Sequence, residues 1–91
     1  MVDLKHLNIR VRGRVQGVFF RLAAKEKALA LGLAGVARNE PGGSVLVEVE
    51  GPAAKVDAFA DWCRVGPPEA TVREAEIVEA APAGLSGFIV R

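Results

Sequence analysis

The sequence predicts an α+β fold, a two-layer sandwich of the split-βαβ type in which two helices cover one face of a sheet. Three observations support this prediction. Hydrophobic residues make up 51% of the 91 positions, enough for one small core. Several segments alternate apolar and polar residues, as half-buried strands do, and two others repeat apolar residues every three or four positions, as helices do. The resulting order is βαββαβ, followed by a short extra C-terminal strand.

The first half of the chain contains a predicted strand, a helix and a second strand. Residues 6–12 alternate strictly, and Gly13 is expected to end this strand. From Phe20 onward the apolar period becomes helical, which predicts a helix with an apolar face formed by Phe20, Ala24, Ala28 and Leu31. Gly32 provides the helix end, and residues 33–39 form the second strand.

The second half repeats this pattern after turn-forming residues at positions 40–43. Residues 44–50 form a third strand, and a second helix lies between Pro52 and Gly66, with an apolar stripe of Val56, Phe59 and Cys63. Residues 71–80 form a fourth strand in which Val72 is out of phase, which predicts a β-bulge. Residues 88–90 form a short final strand.

This order of elements predicts a ferredoxin-like topology, in which two βαβ halves are joined by a hairpin. Right-handed crossovers place both helices on one face of the sheet. The polar residues of the first strand then predict a partly exposed opposite face. Because the sequence contains no linker or low-complexity segment, residues 1–91 are expected to form a single stand-alone domain.

The rare residue types and the apolar runs exclude several classes of protein. One cysteine cannot form an internal disulfide, and one histidine with one cysteine cannot build a His/Cys metal site. The N-terminus lacks the apolar stretch of a signal peptide, and the longest uncharged apolar run, residues 28–37, is too short to span a membrane. We therefore expect a cytoplasmic protein without a membrane partner, and we expect a monomer, which its size and charge permit.

The charges are segregated along the chain although the net charge is only +1. Residues 4–25 contain six bases and no acid. The other six bases and all eleven acids lie outside this segment, so the rest of the chain has a net charge of −5. An anion is the natural partner of such a segment. The alternative is that these bases are solvated and pair with acids elsewhere in the fold.

The loop between the first strand and the first helix is the most informative segment. It leads into a helix N-terminus, whose free N–H groups and partial positive charge attract anions. Gly17 can adopt a positive φ and turn successive N–H groups inward. Arg21 falls in the first helical turn, where a positive charge destabilises the helix by about 0.3–1 kcal/mol unless an anion is bound nearby. The alternative is that Arg21 packs its stem on Phe20 and points into water.

Asn39 is the second candidate, because it ends the second strand just before the Pro-Gly-Gly turn. The chain has only three side-chain amides, and two of them, Gln16 and Asn39, fall at the suspected site. The alternative is that Asn39 is an ordinary turn residue that bonds its own backbone.

Other chemically active residues are expected to have structural roles. His6 is interpreted as a surface residue, and Cys63 as a buried inert thiol. The strand glutamates are expected to form a solvent-exposed face: Glu48, Glu50, Glu74, Glu76 and Glu79. The sequence has no P-loop motif, and its central strands lack the paired aromatics of RNA-binding sheets.

Two blocks resemble the acylphosphatase family. The segment Gly13-Arg14-Val15-Gln16-Gly17-Val18-Phe19-Phe20-Arg21 resembles the family signature of glycine, any residue, valine, glutamine, glycine, valine, any residue, phenylalanine and arginine. The segment Gly35-Val36-Ala37-Arg38-Asn39 resembles a second block that ends in asparagine before a glycine-bearing turn. Val36 stands where the family often has an aromatic residue, and Ala37 replaces its usual valine. The resemblance covers essentially the whole chain.

This resemblance implies hydrolysis of a small-molecule acyl phosphate to a carboxylate and inorganic phosphate, with no need for a metal or a cofactor. It assigns Arg21 to phosphate binding and Asn39 to placing the attacking water. It also assigns backbone N–H donors for the phosphate to Val15, Gln16, Gly17, Val18, Phe19 and Phe20.

Two alternatives from other functional classes remain at this point. A ferredoxin-like module that binds an anionic metabolite without turnover would keep the loop and Arg21 but would have no need for Asn39. A nucleic-acid binder would require more positive charge and stacking aromatics, and the sequence has neither. Within the resemblance itself, a third possibility is an acylphosphatase-like domain of a larger carbamoyl-transferring maturation factor.

Overall fold

The strands and helices lie close to where the sequence predicts them. The computed structural model describes residues 3–91. Its strands are β1 (Leu4–Arg14), β2 (Ala34–Asn39), β3 (Val45–Pro52), β4 (Thr71–Ala80) and β5 (Phe88–Val90). Its helices are α1 (Phe20–Ala30) and α2 (Ala53–Cys63). Neither of these helices is long and apolar enough to cross a membrane.

The strand order β4-β1-β3-β2-β5 confirms the ferredoxin-like topology. Strand β3 lies between β1 and β2 and is antiparallel to both, so β1 and β2 run in the same direction. Strand β5 is parallel to β2 and therefore shares that direction too. The segments that follow β1, β2 and β5 consequently meet at the same end of the sheet.

The core lies between the sheet and the two helices. The inward residues of the central strands are fully buried, among them Ile9, Val11, Val45, Val47 and Val49. The predicted helix stripes face them, with Phe20, Ala24 and Ala28 on α1 and Val56, Phe59 and Cys63 on α2. Burial raises the pKa of the Cys63 thiol, which confirms the interpretation of this residue as an inert core side chain.

Gly13 does not end the first strand, contrary to the sequence prediction. Strand β1 continues to Arg14, and its register with β4 shifts between Arg12 and Gly13, so the predicted bulge is present. Gly13 has a φ of +133°, and a Cβ there would come within 2.2 Å of the Thr71 carbonyl oxygen. A glycine is required because the two strands approach closely at the bulge.

The open face of the sheet is partly covered, so two predictions of surface residues were wrong. His6 and Glu50 are only 4% and 6% exposed, and His6 Nδ1 lies 2.9 Å from Glu50 Oε1. Glu50 also accepts hydrogen bonds from the backbone N–H groups of Ala83 and Leu85. Because β4 and β5 are at opposite edges of the sheet, the connection between them crosses this face and buries the pair. Glu48 is half-buried, whereas Glu74, Glu76 and Glu79 are exposed as predicted.

The buried Glu50 carboxylate predicts a specific loss of stability in acid. Hydrogen bonds from His6 and from the Ala83 N–H lower the pKa of Glu50 from 4.5 to about 2. A carboxyl group with a lowered folded-state pKa stabilises the fold above its unfolded value, and this stabilisation disappears as the pH falls from about 4.5 to about 2.

We therefore expect Glu50→Gln to lower the free energy of unfolding at pH 7 by about 1–3 kcal/mol. The difference between wild type and variant should shrink as the pH falls through that window. Urea denaturation at a series of pH values measures this difference. A constant difference from pH 7 to about pH 2 would contradict the assigned role of the ionised carboxylate.

Candidate active site

The segment between β1 and α1 folds as a tight loop with two left-handed residues. Gly17 has a φ of 75° and Phe19 has a φ of 60°. Phe19 is the only non-glycine residue with a positive φ in the described part of the chain, and such a conformation costs on the order of 1–3 kcal/mol. Val15 and Val18 are buried and anchor the loop in the core. The loop is therefore firmly held in an unfavourable backbone conformation.

The backbone N–H groups of this loop lie at the start of helix α1. Residues 16–19 form a turn, and within residues 3–91 no N–H group from Val15 to Phe20 makes a hydrogen bond of good geometry to another protein group. Helix α1 begins here without a side-chain cap and without an acidic residue in its first turn. Unpaired N–H groups and the positive end of the helix dipole together form an anion-binding environment.

The structure brings the two predicted side chains to this loop. A cavity of about 180 Å³ is lined by Val15, Gly17, Phe19, Phe20, Arg21, Leu22 and Asn39. Asn39 reaches it because β1 and β2 end at the same end of the sheet. Arg21 is on the first turn of α1, and its Nη1 donates a hydrogen bond to the backbone carbonyl of Arg91, just after β5. This contact holds the guanidinium in place, so Arg21 does not simply extend into water.

The turn after Asn39 does not depend on the asparagine side chain. The turn is closed by backbone hydrogen bonds from the Glu40 N–H to the Ser44 carbonyl (2.8 Å) and from the Gly43 N–H to the Glu40 carbonyl (3.1 Å). In the part of the chain that the structure describes, the Asn39 side chain makes no hydrogen bond. The alternative interpretation of Asn39 as a backbone-bonding turn residue therefore has no support in the geometry.

The Gln16 side chain has a role that sequence reasoning missed. Its Nε2 donates hydrogen bonds to the backbone carbonyls of Glu40 (2.8 Å) and Ser44 (2.9 Å). The loop that carries the free N–H groups is thereby tied to the turn that follows Asn39. The shortage of amides in the sequence singled out Gln16, but its partners are more than 20 residues away, and no local pattern indicates them.

Several bases of the positive segment pair with acids, as the alternative interpretation of the charge pattern predicted. Lys5 contacts Asp57 at 2.8 Å, Arg10 contacts Glu40 at 2.7 Å, and Arg12 contacts Glu74 at 3.3 Å. A larger cavity of about 490 Å³ lies beside Arg10, Arg12 and Glu40, but neither Arg21 nor Asn39 lines it. No Asp or Glu side chain among residues 3–91 forms an ion pair with Arg21, whose Nη1 contacts the Arg91 oxygen.

The described residues offer no ready metal centre. No group of three or more His, Cys, Asp or Glu side chains within residues 3–91 is placed to hold a metal ion. The chemistry available at the cavity is therefore that of one guanidinium, one amide side chain and a set of backbone N–H groups.

Comparison with known proteins identifies the family of this chain. The acylphosphatase family model matches residues 7–90. An acylphosphatase of Gloeobacter violaceus is 46% identical over 99% of this chain and 97% of its own length. Another from Azoarcus sp. is 49% identical over 88% of this chain and 82% of its own length. The structure of an acylphosphatase from Coxiella burnetii is 32% identical, covers 98% of this chain and 94% of that one, and superimposes with a TM-score of 0.93. The chain belongs to the acylphosphatase family, whose members are hydrolases acting on acid anhydrides.

Proposed function

We propose that this protein hydrolyses small acyl phosphates at the cavity between the β1–α1 loop and the end of β2. The observation that carries the proposal is that one cavity is lined by Arg21, by Asn39 and by four residues of the β1–α1 loop and helix start, Val15, Gly17, Phe19 and Phe20. The two predicted side chains are 18 positions apart in the sequence, and the parallel directions of β1 and β2 bring their segments together. Family membership supports the reaction, and the lining of the cavity supports the proposed roles of Arg21 and Asn39.

The phosphoryl group binds to the loop and to Arg21. Backbone N–H groups donate to its oxygens, and the planar guanidinium offers two parallel donors to the same group. These donors are fixed before the substrate arrives, because Val15 and Val18 anchor the loop and Arg91 orients Arg21. Pre-placed donors of this kind stabilise the charge of a phosphoryl group as it is transferred.

Asn39 places the attacking water. Its carbonyl oxygen accepts a hydrogen bond from water, and its NH₂ group donates to a phosphate oxygen. The water oxygen forms a bond to phosphorus while the bond from phosphorus to the acyl oxygen breaks, and the carboxylate leaves with the electron pair. The proton lost by the water goes to phosphate or to solvent. Because a carboxylate is a good leaving group, positioning and charge stabilisation provide most of the catalysis.

We further propose that residues 1–91 act as one domain, as a cytoplasmic monomer without a nucleic-acid or membrane partner. One observation supports the single domain. The relative from Gloeobacter violaceus matches over nearly its whole length, so it has the same size.

Release of phosphate from benzoyl phosphate by the purified protein tests the function directly. The enzyme proposal predicts turnover far above the spontaneous rate of hydrolysis. The competing proposal, a module that binds an anionic metabolite, predicts phosphate binding by calorimetry without turnover. Hydrolysis at the spontaneous rate by a folded, phosphate-binding sample would therefore exclude the enzyme proposal.

Turnover is expected to persist without divalent metal. The single histidine, the single cysteine and the lack of a carboxylate cluster within the described residues provide few ligands for a metal ion. Dialysis against a strong chelator should leave kcat for benzoyl phosphate unchanged. A rate that falls on dialysis and returns with magnesium would contradict a mechanism that relies on Arg21 and the loop alone.

Inorganic phosphate and sulfate are expected to inhibit competitively. The loop N–H groups and Arg21 recognise a tetrahedral oxyanion, whatever group is attached to it. Initial-rate kinetics should show KM rising with phosphate concentration while kcat stays constant. Noncompetitive inhibition by phosphate would indicate that the loop is separate from the substrate site.

A further inference from the structure

The carboxylate of Glu40, the residue after Asn39, is held from two sides. Arg10 binds it with two donors, Nε to Oε1 at 2.7 Å and Nη2 to Oε2 at 3.0 Å. The Ser44 hydroxyl donates to Oε1 at 2.6 Å. A two-point contact from arginine fixes the orientation of the carboxylate as well as its position. The side chain is only 19% exposed, so solvent competes weakly for these contacts.

The backbone of Glu40 is held as well. Its N–H donates to the Ser44 carbonyl at 2.8 Å, and its carbonyl accepts from the Gly43 N–H at 3.1 Å. The same carbonyl accepts from Gln16 Nε2 at 2.8 Å. Glu40 therefore connects three parts of the site: strand β1 through Arg10, the turn through Ser44, and the N–H-bearing loop through Gln16. Asn39 directly precedes this fixed residue and pairs with Val45 at the end of the β2–β3 ladder.

We infer that Glu40 is a positioning residue for the hydrolysis, because it fixes the start of the turn and so sets where the Asn39 amide stands relative to Arg21 and the loop. The inference rests on the proposed function and adds a further residue to the same site. Glu40 does not line the Arg21 cavity, so we assign it an indirect effect on the reaction, through the position of Asn39.

The charges around Glu40 agree with this role. Arg10 and Arg38 face the carboxylate, and the hydrogen bonds from Arg10 and Ser44 lower the pKa of Glu40 from 4.5 to about 2. The carboxylate is consequently ionised throughout the neutral range and keeps its two-point contact. Arg10 makes its other contact, to Glu76, at a longer 3.4 Å, so Glu40 is its principal partner.

Replacement of Glu40 by alanine tests this inference through the separate effects on kcat and KM. We expect Glu40→Ala to lower kcat for benzoyl phosphate about 10-fold, since small displacements of a positioning group weaken catalysis strongly. KM and the phosphate dissociation constant should stay within about twofold of wild type, because Arg21 and the loop N–H groups are intact. Glu40→Gln retains one acceptor oxygen, so its kcat should fall less than that of Glu40→Ala.

Glu76→Gln is the matched control. It removes the same unit charge and a contact to the same arginine, but Glu76 does not touch the turn, so kcat and KM should be unchanged. The inference is overturned if folded Glu40→Ala keeps wild-type kcat, if its phosphate affinity falls as much as its kcat, or if Glu76→Gln has an equal effect. If Glu40→Ala does not fold, Glu40→Gln is judged by the same criteria.

The same series separates failure of this inference from failure of the proposed function. Wild type and Asn39→Ala are measured beside the Glu40 variants. If wild type is active, Asn39→Ala is inactive and Glu40→Ala has normal kcat, only the positioning role is wrong. If wild type is inactive, the proposed function itself is wrong.

Discussion

Replacing Arg21 with alanine is expected to reduce kcat for benzoyl phosphate by on the order of 10³-fold or more. The guanidinium contacts the phosphoryl group both in the bound substrate and in the transition state, so its loss should damage binding and rate together. Arg21→Lys should not restore activity, because an ammonium group cannot reproduce the two parallel donors of the guanidinium.

Calorimetry with inorganic phosphate and initial-rate kinetics measure the two effects of Arg21 separately. Lys25→Gln is the matched control, because Lys25 is on the next turn of α1 and does not line the cavity. It loses the same charge and should keep wild-type kcat. Circular dichroism verifies that the variants are folded. A fully active Arg21→Lys would show that only a nearby positive charge is needed.

Replacing Asn39 with alanine is expected to abolish turnover while phosphate still binds nearly as well as in wild type. The amide acts on the attacking water, so its loss appears in kcat, by at least about 10²-fold for a group of this kind. The phosphate contacts from Arg21 and the loop remain. The fold should be unaffected, because Asn39 is exposed and its side chain makes no hydrogen bond within residues 3–91.

Asn8→Ala provides the comparison for Asn39→Ala. Asn8 lies in β1, away from the cavity, so removing its amide should leave kcat unchanged. Normal turnover by Asn39→Ala would show that Asn39 is only a turn residue without a role in catalysis. Loss of phosphate binding as complete as in Arg21→Ala would contradict the proposed division of roles.

The parts of the fold that could be predicted depend on local patterns. Alternation along residues 6–12 and the helical spacing from Phe20 identify their elements because these periods follow from strand and helix geometry. Gly13 and the His6–Glu50 pair were misread because distant segments determine their surroundings. Strand β4 approaches Gly13 at the bulge, and the connection to β5 buries the pair. Nothing in the neighbouring sequence indicates either contact.

The candidate site divides in the same way. The loop and Arg21 could be identified from physical principles. Gly17 precedes the start of a helix, and Arg21 places a positive charge at the positive end of the helix dipole. The role of Asn39 came from the family resemblance, since its residue type and position fit an ordinary turn equally well. The hydrogen bonds of the Gln16 and Glu40 side chains could not be predicted, because their partners are on other strands and turns.

Hydrolysis of benzoyl phosphate in water enriched in oxygen-18 tests the central claim most directly. Mass spectrometry of both products, corrected for spontaneous hydrolysis, shows which atom the water attacks. The proposed mechanism predicts one labelled oxygen in the phosphate formed and none in the benzoate, at a rate that collapses in Asn39→Ala. Label in the benzoate would mean attack at the carbonyl carbon and would contradict phosphoryl transfer to a water held by Asn39.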